Sequence, residues 1–352
     1  MELPNDVWGC ILDYLVMSIE DVLMLQTINK WWHANIRVRG LVNVGKYTEY
    51  AADDTAMALI PQLYNIDKMH IVRHNDPIPG STITLHCSSS ISNFSSMTTL
   101  RNLSIMCEDI SNHLGPPQGL HRLKLNEVEG SSTSLVTTSL TRLDIISSHV
   151  RVDPSSLTHL QYLRIENDIV GSLQCLSQLQ TLRVPAYKDA IDLTGWPLTR
   201  LDIKTTIPDD MLLGLVNLRD LTIYGAWDNG GRAYDQSLVE KLSLTTLRLR
   251  DTKYHYSNML LTALRNLDTK FSHTVTHDGI TSLRIAFDDY APEIPNGIRS
   301  LKLQRACDSH FVNDVMSLTS LTYLDVRHSR ALFNVDVIDK IRNALPGCTI
   351  RY

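Results

Sequence analysis

The 352-residue sequence predicts an α/β solenoid, in which repeated units stack their strands into one parallel sheet, preceded by a small module of three helices. Two observations indicate this fold. A pattern of three apolar residues recurs every 19 or 20 residues through the middle of the chain, whereas the segment 1–40 places apolar side chains at helical spacing. We therefore divide the chain into a helical module at 1–40, an adapter segment at 41–62 and a solenoid at 63–352.

The repeated pattern reads apolar-x-x-apolar-x-apolar. Its last two apolar positions lie two residues apart, which is the period of a strand with one buried face. A single strand cannot bury that face alone, so successive units must stack to form a continuous core. The most regular units begin at Leu100, Leu120, Leu140, Leu160, Leu179, Leu198 and Leu218.

The later units differ in length from these regular ones. The unit that begins at Leu264 carries Thr269 in its third apolar position. A unit of about 20 residues leaves too few residues for a full helix on the convex side. The last units are longer, and they predict convex helices at 311–316 and 337–342.

This repeat resembles the leucine-rich repeat solenoid, over about residues 60–352. The Asn or Cys that the family carries three residues after the third apolar position is missing. Those positions hold Glu108, Val128, Ser148, Asp168 and Tyr187, so the subclass stays open.

The segment 1–40 predicts three short helices. Pro4 suits a first helical turn, and Val7, Trp8, Ile11 and Leu12 follow on one helical face. The run from Ser18 through Asp21 resembles a capping box, which predicts the start of a second helix, and the run 29–32 opens a third. Three such helices expose more apolar surface than they can bury among themselves, so a partner is expected.

This segment resembles the F-box, which begins with Leu-Pro, continues through an amphipathic helix and ends near Asn-Lys-x-Trp. The resemblance implies docking onto a Skp-type adaptor and, through it, a cullin. The positions that match the family's adaptor interface, or the core behind it, are Leu3, Pro4, Val7, Ile11, Leu12 and Trp32. It therefore implies a non-catalytic substrate receptor of an SCF-type ubiquitin ligase. The alternative is a stand-alone protein-binding scaffold whose first helices only cap the solenoid.

The residues that alternate with the buried pair should point to the concave face of the sheet. On this face we expect an excess of positive charge. The basic residues are Arg122, Lys124, Arg142, Arg164, Arg183, Arg200, Lys204, Arg248, Arg250, Lys270, Arg284, Lys302 and Arg327, and the acidic residues are Asp144, Glu166, Asp202, Asp220, Asp268 and Asp325. Such a face suits an acidic or phosphorylated protein target. The alternative is that these charges neutralise one another across neighbouring strands.

The interval from Leu218 to Leu244 is longer than its neighbours and predicts an exposed loop. Exposed Trp, Tyr and Arg often anchor interfaces, although Trp227 could instead fold back onto the array. The predicted target-binding residues are Arg164, Arg183, Tyr224, Trp227, Arg248 and Arg250.

Several other classes of function are not expected. The six cysteines are scattered, the pair His273 and His277 has no third ligand, and no phosphate-binding glycine loop occurs. We therefore expect no enzyme, no metal and no cofactor. The net charge of −5 argues against nucleic-acid binding, and no apolar run is long enough for a membrane helix. The expected location is the cytoplasm or the nucleus.

Overall fold

A computed structural model gives the fold of the chain. It describes residues 83–87, 97–106, 119–128, 139–148, 156–166, 175–184, 193, 195–203, 209–224, 240–250, 263–269, 279–286, 294–304, 311–329 and 334–352, together with the backbone of strands at 17–18, 38–44 and 66–71. The chain divides into two compact units, Met1–Leu179 and Gln180–Tyr352. Each unit is a stack of parallel strands.

The first unit contains eight described strands, and each pairs in parallel with the next along the chain. They are β1 (Met17–Ser18), β2 (Val38–Val44), β3 (Ile66–Ile71), β4 (Thr84–Cys87), β5 (Asn102–Met106), β6 (Arg122–Asn126), β7 (Arg142–Ile146) and β8 (Tyr162–Ile165). The register places Leu103 beside Leu123, and Leu143 beside Leu163. The repeated leucines therefore form a column across the strands.

The second unit continues the same design. Its strands are β9 (Thr181–Val184), β10 (Arg200–Ile203), β11 (Asp220–Tyr224), β12 (Thr246–Arg250), β13 (Asn266–Thr269), β14 (Ser282–Ala286), β15 (Ser300–Gln304), β16 (Tyr323–His328) and β17 (Thr349–Arg351). Each pairs in parallel with the next. Leu201, Leu221 and Leu247 are register neighbours in this unit.

A repeated backbone hydrogen bond fixes the register where the strands begin. The His121 carbonyl accepts from the amides of Thr141 and Arg142, at 2.9 and 3.0 Å. The Arg219 carbonyl accepts in the same way from Thr245 and Thr246, at 2.9 and 3.0 Å. One carbonyl in each of these repeats thus accepts hydrogen bonds from two amides of the next repeat. This pattern resists a one-residue shift in strand register, which would turn every leucine away from the core.

The core consists of the apolar columns that the repeat predicts. Leu100, Leu120 and Leu140 are fully buried, as are Leu198 and Leu301. The third apolar positions follow, with Ile105, Leu125, Ile203, Ile285 and Leu303 each 0% exposed. The predicted burial of the repeated apolar residues is confirmed in both units, because a parallel stack leaves the inner face no contact with water.

The described return segments of the second unit contain three helices. They are α1 (Asp209–Leu213), α2 (Phe311–Ser317) and α3 (Val335–Ala344). The last two confirm the predicted convex helices. Asn334 caps α3, because its side-chain oxygen accepts from the Asp336 amide at 3.0 Å, and Ile338 and Ile341 bury its inner face.

Two strands fall where the sequence predicted none. β1 and β2 pair in parallel, with Met17 beside Val42, within and just beyond the predicted helical module. The apolar, β-branched composition of the segment 38–44 favours a strand, which the search for helical spacing overlooked. The rest of the predicted three-helix module lies outside the described residues.

Candidate functional site

Each described strand presents one face to the core and one face away from it. In β6, Leu123 and Leu125 are buried while Arg122 and Lys124 are exposed. The same alternation recurs in β4, β5, β14 and β15, as expected for a pleated strand. In β7, β10, β11 and β16 the middle residue of the outer face is buried as well. We call the side away from the core the sheet face of each unit. It carries nearly all the charged side chains that the sequence assigned to a binding surface.

Two neighbouring arginines hold the most deeply buried carboxylate on the sheet face of the second unit. Asp202 is 1% exposed. Its Oδ2 lies 2.6 Å from Nε of Arg183 on the preceding strand and 3.3 Å from Nη2 of Arg200 on its own strand. A charge this buried requires such partners, since an unpaired carboxylate here would be costly.

Asp325 repeats this arrangement near the end of the second unit. Its Oδ2 lies 2.8 Å from Nη2 of Arg327 and 3.5 Å from Nζ of Lys302 on the preceding strand. The side-chain hydrogen bond from Arg327 is the main reason that the pKa of Asp325 lies well below its usual range, against the opposing effect of burial, and Lys302 lowers it further. The same hydrogen bond raises the pKa of Arg327.

Asp268 forms a looser pair on the same face. Its Oδ2 lies 3.6 Å from Nη1 of Arg284 on the following strand. Arg248 is the register neighbour of Asp268 on the other side. Arg248 takes no part in the ion pairs of the described residues, so the carboxylate turns towards β14 rather than β12.

The sheet face of the first unit pairs its charges within single strands. Arg142 Nε lies 2.8 Å from Oδ2 of Asp144, and its guanidinium stacks 3.9 Å from the centre of the Tyr162 ring. Arg164 pairs with Glu166 in the same way. Residues two apart on a strand share a face, and the arginine side chain is long enough to span that distance.

On the sheet face of the first unit, Arg122 and Lys124 have no carboxylate partner among the described residues. Arg122 and Lys124 are exposed and line an open hollow of about 260 Å³. The polar residues His86, Asn102 and Ser104 also line it. The hollow therefore presents hydrogen-bond donors and positive charge to solvent.

Among the described residues of the second unit, two buried side-chain polar atoms have no hydrogen-bond partner, and they lie on neighbouring strands. They are Oγ1 of Thr222 on β11 and Nη1 of Arg248 on β12. The two residues are register neighbours, and Thr222 is only 2% exposed. Buried polar atoms in folded proteins are nearly always hydrogen-bonded, so this pair stands out from the rest of the face.

The predicted target-binding residues fall into three groups. Arg164 and Arg183 are engaged in the ion pairs with Glu166 and Asp202. Tyr224 ends β11 and is half-buried, and Arg248 carries the unmet donor. Arg250 is the last residue of β12, its side chain lies outside the described set, and Trp227 lies outside the described residues altogether.

The predicted adaptor-binding residues all lie outside the described residues. This set comprises Leu3, Pro4, Val7, Ile11, Leu12 and Trp32. Their role stays a prediction from the sequence.

Sequence reasoning missed two polar residues that the structure singles out. Thr222 carries no charge, so a search for charged residues passed over it. Ser148 occupies a position where the family's ladder has Asn or Cys. Its hydroxyl accepts from the Val128 amide at 3.0 Å and donates to the Ile146 carbonyl at 2.7 Å. A serine at a ladder position could have indicated this role, because its hydroxyl can do both.

The described residues hold neither a membrane-length helix nor a metal-binding cluster. No described helix is long and apolar enough to cross a bilayer. Over the same residues, no three His, Cys, Asp or Glu side chains are placed to hold a metal ion.

The fold and the paired sheet face define the chain as a leucine-rich repeat solenoid. Comparison with solved structures gives likenesses of low identity. The chain is similar to CroV588, a circular leucine-rich repeat protein, with 16% identity, a TM-score of 0.44 and coverage of 84% of this chain and 51% of that one. It is also similar to the internalin InlF of Listeria monocytogenes, with 14% identity, a TM-score of 0.38 and coverage of 73% and 75%.

A third likeness is to the mouse RP105/MD-1 complex, with 16% identity, a TM-score of 0.43 and coverage of 90% of this chain and 55% of that one. The chain thus spans about half the length of two of these three structures. No family model matches the sequence, and no curated protein matches it. The assignment of the fold rests on the repeat and the strand register of the chain itself.

Proposed function

We propose that the chain is a non-catalytic protein-binding receptor. The sheet face binds a target protein, and the segment 1–40 docks onto a Skp-type adaptor, which brings the target to an SCF-type ubiquitin ligase. The adaptor and cullin supply the connection to the enzymes, so the contribution of this chain is to hold and position the target.

The observation that carries target binding is the balance of charge on the sheet faces. Five carboxylates are each held in an ion pair, namely Asp144, Glu166, Asp202, Asp268 and Asp325. Arg122, Lys124 and Arg248 take part in none of these pairs. Among the described carboxylates of the sheet faces, Asp220 is also outside the pairs, so the unpaired charges are positive on balance. Cations left over after internal pairing are available to a partner, and Arg is enriched where proteins bind one another.

Adaptor docking is supported by the sequence of the segment 1–40. Leu3-Pro4 stands at the start of the first predicted helix, where packing of the helix core needs neither residue, and Ile11 and Leu12 fall on the apolar face of that helix. An uncovered apolar surface of this kind favours association with another chain.

The test of adaptor docking is co-purification of the full chain with a Skp-type adaptor. The wild-type chain should retain the adaptor, and the variant Leu3→Ala/Pro4→Ala/Ile11→Ala/Leu12→Ala should lose it. A matched control, Val216→Ala/Val335→Ala, changes apolar residues that are 76% and 68% exposed on the solenoid. This control should retain the adaptor as the wild type does.

Target capture by the same preparations separates the two parts of the proposal. Proteins captured from a cell extract should be the same for the wild type and the four-residue variant, while ubiquitylation of the captured protein should stop in the variant. Failure of the wild type to retain the adaptor, with target capture intact, would overturn ligase recruitment and leave a stand-alone scaffold. Failure to capture any protein would overturn target binding.

A further inference from the structure

We propose that Thr222 and Arg248 together form an anchor for one carboxylate side chain, Asp or Glu, of the target protein. This inference rests on the proposed function, since it assumes that the sheet face of the second unit binds a protein. It adds the position of the contact and the chemistry of the group bound there.

Two buried polar atoms without hydrogen-bond partners lie on neighbouring strands. Thr222 and Arg248 lie opposite each other on β11 and β12, where strands are about 4.8 Å apart. Oγ1 of Thr222 and Nη1 of Arg248 are buried and lack a partner. Burying a polar atom without a hydrogen bond costs free energy, so an incoming acceptor that satisfies both atoms would be favoured.

Arg248 is freer to reorient than the neighbouring arginines of the sheet face. Arg183 and Arg200 hold Asp202, and Arg284 holds Asp268, so each would break an ion pair in turning to a ligand. Arg248 is half-buried and its Nη1 would give up no hydrogen bond. Its guanidinium can therefore turn towards a bound group at less cost than its neighbours can.

The charges around Arg248 favour a ligand with a single negative charge. Arg248 supplies one positive charge that no carboxylate among the described residues offsets, and the paired Asp202 and Asp268 lie on the two strands that flank β11 and β12. A carboxylate carries one negative charge, whereas a phosphorylated side chain carries about 1.5 to 2. Asp202 and Asp268 are neutralised by their arginines, whereas Asp220 lies two residues before Thr222 on the same face of β11 and takes part in no ion pair among the described residues. Its carboxylate would repel the second charge of a phosphate, so a carboxylate matches this anchor better.

The resulting contact uses both atoms of the pair. An Arg248 N–H donates to one oxygen of the carboxylate, and the Thr222 hydroxyl donates to the other. Hydrogen bonds between a guanidinium and a carboxylate are short and strong because both groups are charged. The hydroxyl of Thr222 fixes the orientation of the bound carboxylate, because Thr222 lies on the strand adjacent to that of Arg248.

The test is selection from a synthetic peptide library on the immobilised full chain. The peptides carry Glu, Gln, phosphoserine or Ser at a fixed central position, with the flanking positions randomised. The wild type should retain Glu peptides roughly tenfold more than Gln peptides. Arg248→Met should abolish this preference, and Thr222→Val should reduce it. Thr222→Ser, which keeps the hydroxyl, should preserve it.

A matched control removes the same charge close to β12 but away from the sheet face. Lys241 is exposed in the turn before β12, so Lys241→Met should keep the full preference for Glu. Circular dichroism spectra and melting curves of all variants show whether they are folded. A loss in Lys241→Met equal to that in Arg248→Met would mean that overall charge, rather than this anchor, selects the peptides.

The remaining outcomes also decide the proposal. Equal retention of Glu and Gln peptides by the wild type, an unchanged preference in Arg248→Met, or no retention of any peptide would overturn the anchor. Stronger retention of phosphoserine than of Glu would overturn the choice of a carboxylate. None of these results would affect co-purification with the adaptor or capture of a target, so failure of the anchor and failure of the proposed function are distinguishable.

Discussion

The two units of this chain build their cores in the same way and differ in the charge pairing on their sheet faces. Each buries its own column of repeated leucines, as Leu143 in the first unit and Leu247 in the second show at 0% exposure. The first unit pairs Arg142 with Asp144 within one strand. The second unit shares Asp202 between Arg183 on one strand and Arg200 on another.

This difference separates the parts of the face that stabilise the fold from the parts available to a partner. A carboxylate that is shared between strands joins neighbouring repeats. In the second unit, most of the arginines on the sheet face therefore take part in ion pairs that stabilise the fold. In the first unit the ion pairs lie within single strands, and the link to the next strand is the stacking of Arg142 on Tyr162. Arg122 and Lys124 are exposed there. Arg248 differs from the paired arginines of the second unit, because its Nη1 is buried and has no hydrogen-bond partner.

The largest expected effect concerns what the units have in common. Leu143→Ala and Leu247→Ala each remove a fully buried side chain from the leucine column of their own unit and leave a cavity, so each should lower the free energy of unfolding by about 3 kcal/mol. Urea denaturation followed by circular dichroism measures both. A loss in one unit only would show that the two cores are not equivalent.

The next effect concerns where the units differ. Asp202→Asn removes a carboxylate held by two arginines and should lower the free energy of unfolding by about 2 kcal/mol. The loss is not larger because Arg183 and Arg200 keep partial access to water. Asp144→Asn removes a carboxylate whose ion pair with Arg142 stays within one strand, and it should cost about 1 kcal/mol or less. The same denaturation measurement compares them. Equal costs would remove the distinction between shared and single pairs.

The pH dependence of stability follows from the lowered pKa of Asp325. Because this carboxyl has a lower pKa in the folded chain than in the unfolded chain, it stabilises the fold above about pH 4 and loses that contribution as the pH falls further. Wild type should therefore lose on the order of 1 to 2 kcal/mol more than Asp325→Asn between pH 6 and pH 3. Parallel slopes for the two proteins would contradict the assignment.

The smallest expected effect has the opposite sign. Thr222→Val replaces a buried hydroxyl that has no partner with a methyl group of similar size, so it should raise stability by up to about 1 kcal/mol. Thermal melting measures this change. A gain in stability alongside weaker selection of Glu peptides would indicate that the hydroxyl is kept for binding rather than for folding. A clear loss of stability would show that Thr222 has a structural role.

The repeat could be predicted from the sequence because the core depends on periodicity alone. A parallel stack buries the repeated apolar positions of each strand. Even the exception at Thr269 is visible in the sequence, because Thr269 is half-buried where other repeats have a buried Leu, Ile or Val. The helices α2 and α3 were predicted because the last repeats are longer than the regular ones. The strand β2 was missed because its short apolar run lies next to a segment with helical spacing.

The arrangement of charges could be predicted only in part. The alternation of a strand places Asp202 and Arg183 on the same face, so a pair across strands was expected. Whether a carboxylate turns to its own strand or to a neighbour depends on side-chain conformations that spacing does not set. Thr222 could not be found by charge at all, because its distinction is the lack of a partner for a buried hydroxyl.

The most direct test of target binding by the second unit is an arginine footprint. The full chain, alone and with its captured target, is treated with an arginine-selective dicarbonyl reagent and analysed by mass spectrometry. The account predicts that the target strongly reduces modification of Arg248 and leaves Arg342 unchanged, since Arg342 lies half-exposed on α3, away from the sheet face. Equal modification of Arg248 in the free and bound chain would contradict it.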